Sequence, residues 1–159
     1  MKQEKTNAMR MLDKQKISYD MLTYSVDDGD IDGLSVARKV GKSPELVYKT
    51  LVAQGSNTKG YYVFVIPVQC ELDLKKAAKS AKEKKIELIA VKDLLEVTGY
   101  IRGGCSPIGM KKRYPVFIDE QAKDLDKIII SAGKVGFQLE ITTNQLVEVT
   151  DATLAHLCK

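Results

Sequence analysis

The chain has 159 residues, of which 44% are hydrophobic and 29% charged, with a net charge of +4. That is the length of a single domain (1–159) with enough apolar surface for a core; it excludes a disordered chain, and no run approaches the roughly 18 apolar residues of a membrane span. The surplus charge is nearly all lysine, with arginine only at 10, 38, 102 and 113, which favours a polyanion partner but disfavours a base-specific DNA reader, since such readers lean on bidentate arginine.

The opening MKQEKTNAMRMLDKQK is charged throughout and lacks an apolar signal core, so a cytoplasmic protein is expected. Within it, Ala8, Met9 and Leu12 fall at helical spacing and predict a helix over 5–16, capped by Thr6 or Asn7. Residues 17–25 read as a strand, with Leu22 and Tyr24 on one face and Tyr19 and Met21 on the other. VDDGDIDG (26–33) is acidic and turn-rich, but it has no glutamate at the twelfth position of a calcium loop, so a solvated turn is expected. Leu34, Ala37 and Val40 predict a short helix stopped by Gly41, and Ser43-Pro44-Glu45 a second helix start.

VYKTLVAQ (47–54) and YYVFVIPV (61–68) read as a hairpin of β-branched and aromatic residues around SNTKG. Asp73 caps a predicted helix, LKKAAKSAKEKK, with Leu74, Ala77, Ala78 and Ala81 as its buried stripe and Lys75, Lys79 and Lys82 outside. A short strand (86–90) and a short helix (91–97) precede the glycine-rich segment 98–113. PVFID (115–119), KIIISA (127–132) and FQLEIT (137–142) predict three more strands, and 143–149 and 152–157 two closing helices. Hairpin-like strands mixed with short helices point to an α+β fold rather than regular βαβ repetition.

Chemistry is sparse. Cys70, Cys105 and Cys158 cannot all pair, no CxxC occurs, and His156 is the only histidine. The expectation is a protein without a metal, a disulfide framework, a cofactor or a histidine general base. Lys49 shares its strand face with Leu51 and Ala53. Burying an ammonium is costly, so Lys49 is either a strand-end lysine whose stem packs or a fixed donor to a carbonyl or hydroxyl. GYIRGGCSPIG (99–109) holds four glycines and a proline in eleven residues. Such a backbone can approach a ligand closely, and the amides of Gly103, Gly104 and Cys105 are candidate anion or oxyanion donors, against a plain structural turn. Cys105 in that loop invites a nucleophile reading, which the lack of a neighbouring histidine opposes. Ser131 ends the IIIS strand before a glycine turn, SAGKVG, and Tyr24 reads as core first and pocket wall second. The 75–85 lysine run is first a solvated helix face and second an RNA-facing patch.

Four segments together, VYKTLV (47–52), LDLKKAAK (72–79), TGYIRGGCSPIGMKKR (98–113) and ISAGKVGFQLEI (130–141), resemble the YbaK/EbsC family of aminoacyl-tRNA deacylases, also found as the editing insertion of bacterial prolyl-tRNA synthetases. The resemblance implies a mixed, mostly antiparallel sheet curved into a partial barrel with surrounding helices. It implies hydrolysis of the ester between a wrong amino acid and tRNA, closest to the branch that clears cysteine from tRNA(Pro), with mischarged tRNA and prolyl-tRNA synthetase as partners. By the same resemblance Lys49 is the essential lysine, Gly103 and Gly104 the glycine loop, Ser131 the strand-end serine, and Tyr24 and Thr50 pocket residues. Gln138 stands where the family often has aspartate, which leaves a contact from that position open. The implied mechanism uses the substrate's own thiol. The alternatives are a bound-water deacylase of Ala-tRNA(Pro), a non-catalytic aminoacyl-tRNA or synthetase-binding module, and a regulator, the last disfavoured by the absence of a helix-turn-helix pattern.

Overall fold

A computed structural model of the chain describes residues 5–159. In chain order it has α1 (Asn7–Lys14), β1 (Asp20–Thr23), α2 (Gly33–Val40), β2 (Tyr48–Gly55), β3 (Tyr61–Pro67), α3 (Leu74–Ala81), β4 (Ile86–Leu88) and α4 (Val91–Thr98). Then come β5 (Val116–Asp119), β6 (Lys127–Lys134), β7 (Phe137–Thr142), α5 (Thr143–Thr150) and β8 (Thr153–Ala155). Local chemistry sets the helix ends. The Thr6 and Asp73 side chains accept from the first-turn amides of α1 and α3, and Gly41 closes α2 at φ 71°, where a side chain would be strained.

The strands form two sheets. One is antiparallel, in the order β1-β7-β6; the other runs β4-β2-β3-β5-β8, antiparallel through β4, β2 and β3 and parallel from β3 to β8. The fold is α+β, mixed and mostly antiparallel. Its curvature stops short of a closed barrel: the sheets are open and are joined by a parallel bridge between Val47 and Ile129. Alternation along the strands divides the apolar residues. Tyr48, Val52, Val63, Val65, Ile130 and Leu139 meet between the sheets, where α1 and α5 add Leu12 and Leu146. The opposite face of β3 carries Phe64 and Ile66 against Phe117 and the Ala77–Ala78 stripe of α3. A small third cluster packs Ala37 of α2 over Val47, Val68 and Ile129, on top of the inter-sheet bridge.

Four expectations are corrected. The helix start at 43–45 is one 3-10 turn, Pro44–Leu46, and Ser43 makes no capping hydrogen bond. The helix after Asp73 ends at Ala81, because Lys82 takes a left-handed conformation (φ 58°), and Leu74 is 41% exposed rather than part of the buried stripe. The strand expected at 17–25 pairs only over 20–23. The helix expected at 152–157 is instead a strand, parallel to β5. Its cause lies outside the segment. Asp119, fully buried at the end of β5, accepts from the amides of Leu157 (3.0 Å) and Cys158 (3.3 Å) and so holds the C-terminal segment extended. Burial opposes the Asp119 charge, but these bonds and those from Gln121 outweigh it and hold the carboxyl below its ordinary range. No helix among the described residues is long and apolar enough to cross a membrane.

Candidate active site

Beyond the Val47–Ile129 bridge, β2 and β6 part, and a pocket of about 110 Å³ occupies the gap. One wall is Lys49 and Thr50 of β2. Facing it are Ser131 of β6 and Gln138 of β7, which are cross-strand partners. Gly103 and Cys105 come from the glycine loop, and Ile31 and Val36 close the α2 side. Residues 80 or more apart in sequence are thus brought together by the way the two sheets separate.

The polar groups here are poorly satisfied by the protein. The Thr50 hydroxyl is buried with no partner, and half-buried Lys49 enters no ion pair among the described residues. Among the described residues the Ser131 hydroxyl accepts only from the amide of Gly133, at 3.2 Å. Gln138 is 6% exposed. Buried polar atoms normally find partners, so this concentration of open valences marks a place where a polar ligand would supply them.

The glycine loop is held against two other loops. Gly103 has φ +83°, and a Cβ there would meet Ile31 Cδ1 at 2.9 Å. A Cβ on Gly104 would stand 3.0 Å from the Val135 amide nitrogen. The Gly104 N–H donates to the carbonyl of Ile101 at 3.0 Å, so it is not an open oxyanion donor, and Gly104 lies outside the pocket lining. The amides of Gly103 and Cys105 have no backbone acceptor among the described residues. Tyr24 also lies outside the lining. It sits at the β6–β7 turn, its N–H on the Gly136 carbonyl (3.0 Å) and its hydroxyl buried without a partner.

Cys105 lines the pocket but is poorly placed to attack. Burial pushes its thiol up to about 12, with a hydrogen bond involving Thr98 opposing only in part. It is therefore a neutral thiol near pH 7. His156 is outside the pocket, 3.2 Å from Lys76 Nζ, and Cys70 and Cys158 sit beside the Gln121 amide. The acidic turn before α2 is filled by a lysine: Lys39 Nζ donates to the Ser25 carbonyl (2.9 Å), Asp28 Oδ1 (2.6 Å) and the Asp30 carbonyl (2.8 Å). That hydrogen bond holds the Asp28 carboxyl below its ordinary range. Among the described residues no cluster has the ligands for a metal ion.

Sequence reasoning passed over Ile31, Val36 and Gly33. A Cβ on Gly33 would stand 2.5 Å from Val68 Cγ1, so its absence lets α2 settle over the pocket. The only local signal was the glycine that ends the acidic turn. It also passed over Glu83, which is 7% exposed and accepts from the Thr58 and Tyr62 hydroxyls and the Asn57 amide, fixing the β2–β3 turn.

The family model of the aminoacyl-tRNA editing domain matches residues 34–149. A protein of Enterococcus faecalis, provisionally named Cys-tRNA(Pro)/Cys-tRNA(Cys) deacylase EbsC, is 44% identical over 155 residues, covering 98% of this chain and 94% of that protein. Two solved structures share the fold. A hypothetical protein has a TM-score of 0.87 at 22% identity, covering 97% of this chain and 100% of the other. A provisional trans-editing enzyme for prolyl-tRNA synthetase has a TM-score of 0.83 at 23% identity, covering 99% of each chain.

Proposed function

The chain belongs to the aminoacyl-tRNA editing domain family, and we propose on that footing that it deacylates mischarged tRNA, with Cys-tRNA(Pro) as its principal substrate. One observation carries the reading: Lys49, Thr50, Gly103 and Ser131 line one small pocket whose only thiol is buried and neutral near pH 7. A site of this kind supports catalysis by placement rather than by an enzyme nucleophile.

In the reaction we propose, the pocket takes the aminoacyl end of the tRNA. The cysteine thiol of the substrate attacks its own ester carbonyl. A carbon–sulfur bond forms, the carbon–oxygen bond to the ribose breaks, and the thiol proton goes to the departing ribose oxygen. The cyclic thioester then hydrolyses in water to free cysteine. The Lys49 ammonium and the Gly103 amide stabilise the developing oxyanion, where preorganised donors act most strongly. Thr50 and Ser131 hold the polar groups of the amino acid, and Tyr24 braces the β6–β7 turn. Gly104 serves by close packing against Val135 and not as a donor.

Such an activity answers a limit of shape selection, since a pocket that fills by shape discriminates poorly between near-isosteres such as cysteine and proline. We assign prolyl-tRNA synthetase as the partner that presents the tRNA and the cytoplasm as the place of reaction. The test is incubation with Cys-tRNA(Pro) and Ala-tRNA(Pro), following release of each amino acid. Rapid release of cysteine is expected. Faster release of alanine would favour a bound-water mechanism, and tRNA binding with no release of either would make the protein a binding module.

A further inference from the structure

The loop from Gly99 to Arg113 carries Arg102, Lys111, Lys112 and Arg113 and no acidic residue. All four side chains belong to exposed residues, and none enters an ion pair among the described residues. Some cations elsewhere have acceptors, Lys39 in the acidic turn, Lys42 at 3.8 Å from Glu140 and Lys85 at 3.7 Å from Glu87; this loop differs in carrying four cations unpaired among the described residues, with no carboxylate among them. The loop is also fixed in shape. The Lys111 N–H donates to the Thr98 carbonyl (3.0 Å) and draws its ends together, while the Tyr100 hydroxyl donates to the Ile108 carbonyl (2.6 Å) across its middle. Four like charges held on one rigid loop repel one another, and a polyanion relieves that repulsion.

The loop is continuous with the pocket. Arg102 immediately precedes Gly103 in the pocket wall, and Lys112 and Arg113 border a second recess of about 90 Å³ with Met11 and Tyr114. The acidic turn reaches the same pocket through Ile31, and of the two segments that flank the pocket here it holds the aspartates, with Lys39 set among them, while the glycine loop holds only cations. A phosphate chain leaving the pocket is therefore directed over the glycine loop.

From this placement we infer that the Gly99–Arg113 loop seats the single-stranded 3′ end of the tRNA, Arg102 meeting the phosphate nearest the ester and Lys111, Lys112 and Arg113 those before it. The inference rests on the deacylase reading, because an ester in the pocket fixes where the preceding phosphates must lie. The lysines of α3, Lys75 and Lys79, are exposed too, but they belong to a helix packed on the Phe64–Phe117 face and not to the pocket.

The test uses an uncharged RNA minihelix of the acceptor stem with its single-stranded 3′ end, titrated with the full chain over a series of salt concentrations. Each single-strand phosphate contact contributes about 0.7 to the slope of log K against log salt. Replacing Lys111, Lys112 and Arg113 together by alanine should flatten the slope by about 2 and weaken binding at low salt by about tenfold or more. Arg102→Ala should flatten it by about 0.7, and deleting the 3′ single strand from the minihelix should abolish the difference between Arg102→Ala and the parent. The Lys75→Ala, Lys79→Ala pair should leave slope and affinity as they were. Thermal melting of each variant, with Arg102→Gln as a second substitution, separates lost contacts from lost structure. Unchanged slopes in the folded loop variants, or an equal loss in the α3 pair, would overturn the inference. Absence of amino-acid release by the parent protein would instead overturn the deacylase reading, while the binding slopes would still judge the loop.

Discussion

Replacing Lys49 by methionine keeps the length of the stem and removes the charge. In the structure Lys49 of β2 stands opposite Ile66 of β3, half-buried at the pocket wall, with no carboxylate paired to it among the described residues. If its ammonium is an oxyanion donor, the loss is that of one donor in an enclosed site, about 10²–10³ in rate, or roughly 2.7–4 kcal/mol. Stability should barely respond. No salt bridge is broken and the apolar stem is retained, so the change should stay near the roughly 0.5 kcal/mol typical of sites without a special interaction. The assay is single-turnover release of cysteine from Cys-tRNA(Pro) with protein in excess, which isolates the chemical step from substrate binding. Thermal melting runs beside it. A folded Lys49→Met protein with a rate near that of the parent would remove Lys49 from the mechanism.

Three other outcomes are expected. Cys105→Ser should keep its rate within a few-fold, because the attacking sulfur belongs to the substrate; an acyl group trapped on Cys105 of the parent protein would replace this mechanism with an enzyme thioester. Cys-tRNA(Pro) should be cleaved much faster than Ser-tRNA(Pro), with a rate that climbs toward the ordinary thiol pKa of about 8.5; equal rates across that range would point to bound water. Hydrogen bonds from the Thr58 and Tyr62 hydroxyls lower the Glu83 carboxyl from 4.5 to about 2, so its contribution to stability is complete above about 4.5 and is lost as pH falls toward 2; melting temperature followed over that window should fall less steeply in Glu83→Gln than in the parent, and identical acid slopes would show that Glu83 is not linked to folding.

The parts of the fold legible in the sequence are those whose cause is local. YYVFVIPV and KIIISA are strands because β-branched and aromatic residues fit a pleated, buried surface, and the caps at Thr6, Asp73 and Gly41 depend on groups within four residues. The misread segment, ATLAHL at 152–157, has its cause 38 residues away, in the Asp119 carboxylate that takes the Leu157 amide. The site shows the same division. Lys49 stood out locally as a cation on an apolar face, and Gly103 as part of a glycine-rich loop. Nothing in the local pattern placed them together or beside Ser131, because that depends on β2 and β6 meeting at Val47–Ile129 and then parting. The resemblance to known deacylases supplied that grouping. It did not tell the two loop glycines apart, since only the hydrogen bond from Gly104 to Ile101 shows which amide is already occupied.

The loops that shape the pocket are fixed with little titratable chemistry facing inward. Ile31 presses on Gly103, and the turn that carries Ile31 is clamped by the three hydrogen bonds of Lys39. Gly104 lies against the Val135 backbone, so the glycine loop cannot retreat without moving the β6–β7 turn. Three segments far apart in sequence therefore set the width of the gap between the sheets by contact. Apart from the buried Cys105 thiol, their side chains at the pocket are aliphatic or absent, and the one histidine lies elsewhere. Under the proposed mechanism such a site contributes a fixed distance and fixed donors, and the reactive group arrives with the substrate. Its selectivity between amino acids of similar volume then follows from which of them carries a nucleophile within reach of its own ester, a distinction that a small pocket can exploit without sensing the difference in shape.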